Sequence, residues 1–180
     1  MINKRPALRL DETTTEPSGA VAEIQSTTAN MSDYLRRATP EDAAAVRALV
    51  RAAYAKWVPI IGREPKPMMA DYDQAVRDHV VDLLFVEGRL TAVIEMIVEP
   101  ESLVVENVAV RPDQAGRGYG RTLMLHAAEL ARSMGRNRLR LYTNRLMTQN
   151  ITLYQRLGYS VEGEETTPDG REIVHMSMTI

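Results

Sequence analysis

The sequence predicts a mixed α/β domain of the α+β type, in which short strands and amphipathic helices are layered on one another. Three observations predict it. Strand-sized apolar runs recur along the chain, stripes of apolar residues at helical spacing lie between them, and glycine and proline mark the changes from one to the other.

Residues 1–30 stand apart. They carry Thr13-Thr14-Thr15, Pro17-Ser18-Gly19 and Ser26-Thr27-Thr28, no aromatic residue and no apolar core of a secretory signal. This composition predicts a flexible extension ahead of a domain at residues 31–180. Tyr34–Arg37 then reads as a short strand. Thr39 can cap the helix that follows, Pro40 suits its first position, and Asp42 stands where a capping-box acid would. Val46, Leu49, Val50, Ala53, Tyr54 and Trp57 give that helix one apolar stripe. Pro59, Gly62, Pro65 and Pro67 predict a loop, and a second helix is expected over Met69–His79.

Val81–Val86 and Leu90–Val98 read as strands joined by a hairpin at Glu87-Gly88-Arg89. Leu103–Val110 is a third run, bounded by Pro100 and Pro112. Next comes a glycine-rich loop and a helix bearing Leu123, Met124, Ala127, Leu130, Ala131 and Met134 on one face. Arg138–Thr143 alternates like a strand, and a short helix over Thr148–Leu157 stops at Gly158, a residue suited to a left-handed helix end. Tyr159–Thr166 and Glu172–Thr179 form a last hairpin across Pro168-Asp169-Gly170. The order is β-α-α-β-β-β-α-β-α-β-β.

Composition narrows the function. With 22 basic and 24 acidic residues the net charge is −2, which gives no field to attract nucleic acid. No apolar run approaches the ~20 residues needed to span a bilayer. There is no cysteine, which excludes a disulfide framework, thiolate ligands and a cysteine nucleophile, and fits a reducing, cytoplasmic setting. The three histidines, at 79, 126 and 175, have no ligand-like spacing, so no metal is expected. His126 falls with Thr122, Glu129 and Ser133 on a polar helix face and is expected in solvent.

The loop Gly116-Arg117-Gly118-Tyr119-Gly120-Arg121 follows a strand and opens a helix. Alternating glycines keep side chains away, so main-chain N–H groups can face an anion at the positive end of the helix dipole. Arg117 and Arg121 add charge at the rim, and a pyrophosphate suits the site. The loop lacks the G-K-[ST] ending of a P-loop, and its G-x-G-x-G spacing is not that of a dinucleotide fold.

The stretch V-A-V-R-P-D-Q-A-G-R-G-Y-G-R resembles the acetyl-CoA loop of the GNAT superfamily of N-acetyltransferases. Leu141-Tyr142-Thr143-Asn144 together with Asn150 to Tyr159 resembles that family's second signature, L-Y-x-x-L-G-F/Y. The likeness covers roughly residues 33–179 and departs at Ala115, where the family usually has Gln or Arg. It implies a mostly antiparallel sheet of about seven strands, with the fourth and fifth splayed apart, flanked by about four helices. It further implies that Gly116 to Arg121 hold the pyrophosphate of acetyl-CoA, and that the main chain of Val108, Ala109 and Val110 pairs with pantetheine. The activity it implies is direct transfer of an acetyl group to a small-molecule or peptide amine. The alternative is an acyl-CoA-binding sensor of the same fold that catalyses nothing. A homodimer is compatible with either.

Such a transfer needs a proton acceptor, because an alkylamine of pKa about 10.4 arrives charged at pH 7. Alternation places Glu106 on one strand face with Val104, Val108 and Val110, an apolar row that makes it the candidate base; otherwise it faces solvent or pairs with an arginine. Glu95 on the next strand is the reserve. The resemblance makes Tyr154 the acid facing the CoA sulfur, and Asn150, one helical turn earlier, either bonds pantetheine or caps its helix. Tyr54, Trp57, Arg63 and Tyr72 are the candidates for the acceptor pocket.

Overall fold

A computed structural model describes residues 33–180; the expected extension at residues 1–30 lies outside the described residues. The elements in chain order are β1 (Tyr34–Arg37), α1 (Ala43–Tyr54), α2 (Val58–Ile61), α3 (Lys66–Met69), α4 (Tyr72–Asp78), β2 (Val80–Val86), β3 (Arg89–Val98), β4 (Leu103–Val110), α5 (Tyr119–Ser133), β5 (Arg138–Asn144), α6 (Thr148–Arg156), β6 (Ser160–Thr166) and β7 (Glu172–Thr179).

Most boundaries follow local chemistry. Asp42 accepts the Thr39 main-chain N–H at 2.8 Å, capping the short 3-10 turn that leads into α1. Glu87 and Gly88 both have positive φ, 50° and 76°, as a two-residue turn between β2 and β3 requires. Gly158 ends α6 at φ 96°. Two expectations change. The proline-rich segment is not plain loop: Pro59 and Pro67 stand in the first turns of α2 and α3, where a missing N–H costs nothing. The expected helix over 69–79 is interrupted at Ala70 and restarts at α4, because Asp71 turns its carboxylate onto the N–H groups of Asp73 and Gln74.

The strands form one sheet in the order β1-β2-β3-β4-β5-β7-β6, antiparallel except for β4 beside β5. That parallel pair is short. It joins Leu103, Val104 and Val105 to Leu139, Arg140 and Leu141, and then the strands part. The parting coincides with a β-bulge. Glu95 pairs with Asn107 and Met96 with Val105, so Glu106 is an extra residue with no partner on β3.

The bulge corrects the expected strand face. Leu103 and Val105, before it, share a core with Val108 and Val110, after it, while Ala109 packs on the opposite side. Glu106 therefore does not continue one uninterrupted row through Val104, Val108 and Val110. On one face of the sheet, Leu123, Met124, Ala127 and Ala131 of α5 cover β3, β4 and β5; on the other, Val46, Leu49 and Val50 of α1 and Tyr72 and Ala75 of α4 cover β2 and β3.

His126 is not simply solvated: its Nε2 lies 2.8 Å from Asp82 on β2. Asp82 is buried and also accepts from Arg37 Nε at 2.7 Å. Burial opposes its charge, but the bonds to His126 and Arg37 outweigh that and hold the carboxyl below its ordinary range. No helix among the described residues is long and apolar enough to cross a membrane.

Candidate active site

A groove runs along the mouth of α5. Gly116 and Gly118 have φ of 79° and 90°, a left-handed backbone that glycine adopts without strain, and a Cβ built on either would meet nothing within 4 Å. The space above them is open. The first bond of the helix end runs from Thr122 N–H to Gly118 C=O at 3.0 Å, so the amides of Tyr119, Gly120 and Arg121 are orphan donors. Arg117 and Arg121 are exposed and, among the described residues, form no ion pair. Val108, Ala109 and Val110 line the same groove, where the edge of β4 that faces β5 is unpaired. A long anionic ligand with a peptide-like arm fits these surfaces: phosphates on the amides, the arm on the strand edge.

The gap between β4 and β5 opens from the groove into a narrow chamber with a free volume of about 90 Å³. Its polar wall is a three-way contact. Lys66 Nζ donates to Glu106 Oε1 and to Tyr142 Oη, each at 2.9 Å, and the Tyr142 hydroxyl donates to Glu106. Burial works against the Lys66 charge, but its bonds to Tyr142 and Glu106 outweigh that and hold it above an ordinary lysine. Burial, with the Glu106 contact second, pushes Tyr142 up to about 12. A second set of bonds supports the chamber from below: Tyr54 donates to Asn107 Oδ1 at 2.9 Å, and Asn107 Nδ2 donates to Tyr72 Oη at 3.1 Å.

Tyr154, Asn150, Tyr54 and Val108 line both spaces, so they mark the junction between them. Burial alone raises Tyr154 to about 12, which keeps its hydroxyl protonated at neutral pH. Asn150 does not cap α6. Met147 occupies the cap position and the Asn150 amide points at its sulfur, 3.7 Å away.

The sequence candidates divide accordingly. Arg63 lines the chamber and is tied to the β6–β7 turn through the Asp169 carbonyl at 2.7 Å. Trp57 lines the groove beside the glycine loop instead of the chamber. Tyr72 is fully buried, donates to the Pro67 carbonyl at 2.8 Å and does not reach the chamber. Glu106 is in the chamber, but paired with Lys66 and not set in an apolar row. Glu95 is buried against His79, 2.7 Å away, and its burial raises the carboxyl. Lys66 and Asn107 are absent from the sequence candidates, and Tyr142 enters there only within a signature, with no role; nothing local reveals these contacts, since the partners lie 35 to 76 positions away.

Comparison with known proteins identifies the family and the fold. A family model described as the acetyltransferase (GNAT) family matches residues 45–159. The streptothricin acetyltransferase of Streptomyces lavendulae is 33% identical over 84 residues, 43% of this chain, and the chain spans 44% of that relative's length. The ribosomal-protein-S18-alanine N-acetyltransferase of Escherichia coli superposes with a TM-score of 0.68 at 21% identity, covering 82% of this chain and 94% of that one. The PaiA N-acetyltransferase of Thermoplasma acidophilum, solved in complex with coenzyme A, gives 0.69 at 18% identity, covering 83% and 100%. At these identities the two structures establish a common fold.

Proposed function

The chain belongs to the acetyltransferase (GNAT) family, and from that premise we propose that it moves an acetyl group from acetyl-CoA directly to a primary amine within a ternary complex. The observation that carries this reading is the junction: Tyr154 stands where the glycine-loop groove, with its unpartnered helix-end amides, meets a chamber that already holds an ammonium group. The Gly116–Arg121 amides would take the pyrophosphate, with Arg117 and Arg121 at the rim, and the free edge of β4 at Val108, Ala109 and Val110 would take the pantetheine.

Each step then has a group to perform it. Glu106 accepts a proton from the bound ammonium, and the freed nitrogen forms its bond to the acetyl carbon. A main-chain N–H beside Val108 steadies the carbonyl oxygen. Tyr154 gives its proton to the sulfur as the carbon–sulfur bond breaks, and recovers one from the new amide nitrogen. No covalent enzyme intermediate is needed. The activity is assigned to the domain at residues 31–180.

Two measurements test this. Acetyl-CoA should raise the melting temperature in a concentration-dependent way, and a panel of primary amines should release CoA faster than buffer alone. Binding without release by any amine would support the non-catalytic sensor instead; no binding would remove both.

A further inference from the structure

Lys66 is an amine held where an amine would react. Its ammonium meets a carboxylate oxygen and a phenol oxygen at 2.9 Å each, and lies 5.2 Å from the centre of the Tyr142 ring, an arrangement that suits any alkyl-ammonium. The two sides of the contact differ in burial. The Glu106 side chain is 18% exposed and fixed at the bulge, whereas the Lys66 side chain is 60% exposed. The less exposed carboxylate gains more from a cation beside it than the exposed lysine gains from the carboxylate.

We propose that Glu106 and Tyr142 form the ammonium site of the acceptor, that Lys66 occupies this site as an internal stand-in, and that the acceptor is an unbranched alkyl-ammonium about as long as a lysine stem. The inference rests on the reading above, in which the adjoining groove holds acetyl-CoA.

Exchange of one ammonium for the other is built into the packing. The main chain around Lys66 is pinned independently of its side chain, by Arg51 on the Met68 carbonyl at 2.9 Å and Tyr72 on the Pro67 carbonyl at 2.8 Å. The lysine arm can therefore swing into solvent while the segment above the chamber stays closed. Because a cation replaces a cation, Glu106 is never left unpaired. The arm that fills the site is itself slender and unbranched, so an acceptor arm of the same shape can take its place without rearranging the Glu106–Tyr142 contact. An aryl amine, neutral at pH 7, offers no charge to displace Lys66.

The test is a steady-state comparison of the wild type with Lys66→Met, which keeps the stem and removes the ammonium. Acetyl-CoA is held saturating, with n-butylamine, an N-terminally blocked lysine peptide and aniline as acceptors. The variant should lower the KM of the alkylamines about two- to fivefold, the worth of an exposed ion pair, with the acetyl-CoA KM unchanged. Aniline should be a poor acceptor of both proteins. Whichever of butylamine and the peptide gives the higher kcat/KM identifies a free amine or a lysine side chain as the source. In the wild type, n-butylammonium should also speed labelling of Lys66 by an amine reagent, read by peptide mass spectrometry; this arm stands even if the variant folds poorly. An unchanged or raised alkylamine KM, aniline used as well as butylamine, or Lys66 labelling indifferent to butylammonium would each overturn the stand-in while acetyl-CoA still binds. Absence of acetyl-CoA binding is a different failure, that of the groove.

Discussion

The groove and the chamber meet at Tyr154 yet are built in opposite ways. The groove offers a ligand main chain on its floor: six consecutive residues from Gly116 to Arg121 and one strand edge, with side chains such as Trp57 at its walls. The chamber is made of side chains gathered from α1, α3, β4 and β5, with Lys66 reaching Tyr142 across 76 positions and Tyr54 reaching Asn107 across 53. A main-chain site recognises a ligand through groups every residue possesses, so it depends on conformation. A side-chain site depends on identities and on the fold that brings them together. On the proposed reading, the difference teaches where to look for the acceptor's selectivity: in the chamber, since the groove would take the ligand common to the family.

The largest expected effect falls at the junction. Tyr154→Phe should lower kcat by about 10²- to 10⁴-fold, the usual worth of a general acid, while the acetyl-CoA dissociation constant stays within about twofold because the ring still packs. Stopped-flow or steady-state CoA release against calorimetric binding checks it, and unchanged turnover would remove Tyr154 from the chemistry. The next effect separates the two regions. Gly118→Val forces a β-branched residue to φ 90°, a strain of about 1–3 kcal/mol. It should weaken acetyl-CoA binding about tenfold or more and leave the alkylamine KM alone. No neighbouring atom lies within 4 Å of the added Cβ, so the loss would report the loop's conformation and the ligand's space above it, not a clash of that Cβ inside the protein.

A substitution beneath the chamber should do the reverse. Asn107→Leu leaves the Tyr54 hydroxyl without its acceptor, a cost of about 1–2 kcal/mol in stability. It should raise the acceptor KM several-fold with acetyl-CoA affinity intact. Chemical denaturation gives the first quantity and initial rates the second; equal damage to both ligands would mean the two regions are not separable.

The same contrast explains what could be read from sequence. The glycine loop, the Glu87-Gly88 hairpin and the Gly158 helix end were legible because each demand on the backbone is met by a residue within a few positions of it. The stretch from Leu141 to Tyr159 was legible as a spaced pattern. Strict alternation puts Glu106 in one row with Val104, Val108 and Val110; a one-residue bulge, which leaves no compositional mark, breaks that row. Tyr72 looked like a pocket residue because a phenol suits a pocket, yet its hydroxyl serves Asn107 and the Pro67 carbonyl inside the core. The contact of Lys66 with Tyr142 and the pairing of His126 with Asp82 depend on elements adjacent in space and remote in sequence, and no local periodicity encodes them.

The smallest effect lies outside both regions and calibrates the rest. Arg36 holds Asp42 by two bonds of 2.7 and 2.8 Å, and with the Thr39 N–H it lowers the carboxyl from 3.8 to about 2. The unfolded chain therefore binds a proton more readily than the folded one over that interval, so the contribution is complete above pH 4 and lost as pH falls toward 2. Asp42→Asn should cost about 1–2 kcal/mol near pH 6, measured by urea unfolding. The gap from the wild type should shrink steadily on acidification, since asparagine can still accept the cap bond but carries no charge for Arg36. Neither KM should change at pH 7. A gap that stays constant down to pH 2 would show that the Asp42 charge is not what separates the two proteins; a shift in either KM would show that the start of α1 is coupled to the chamber through Tyr54 at its other end.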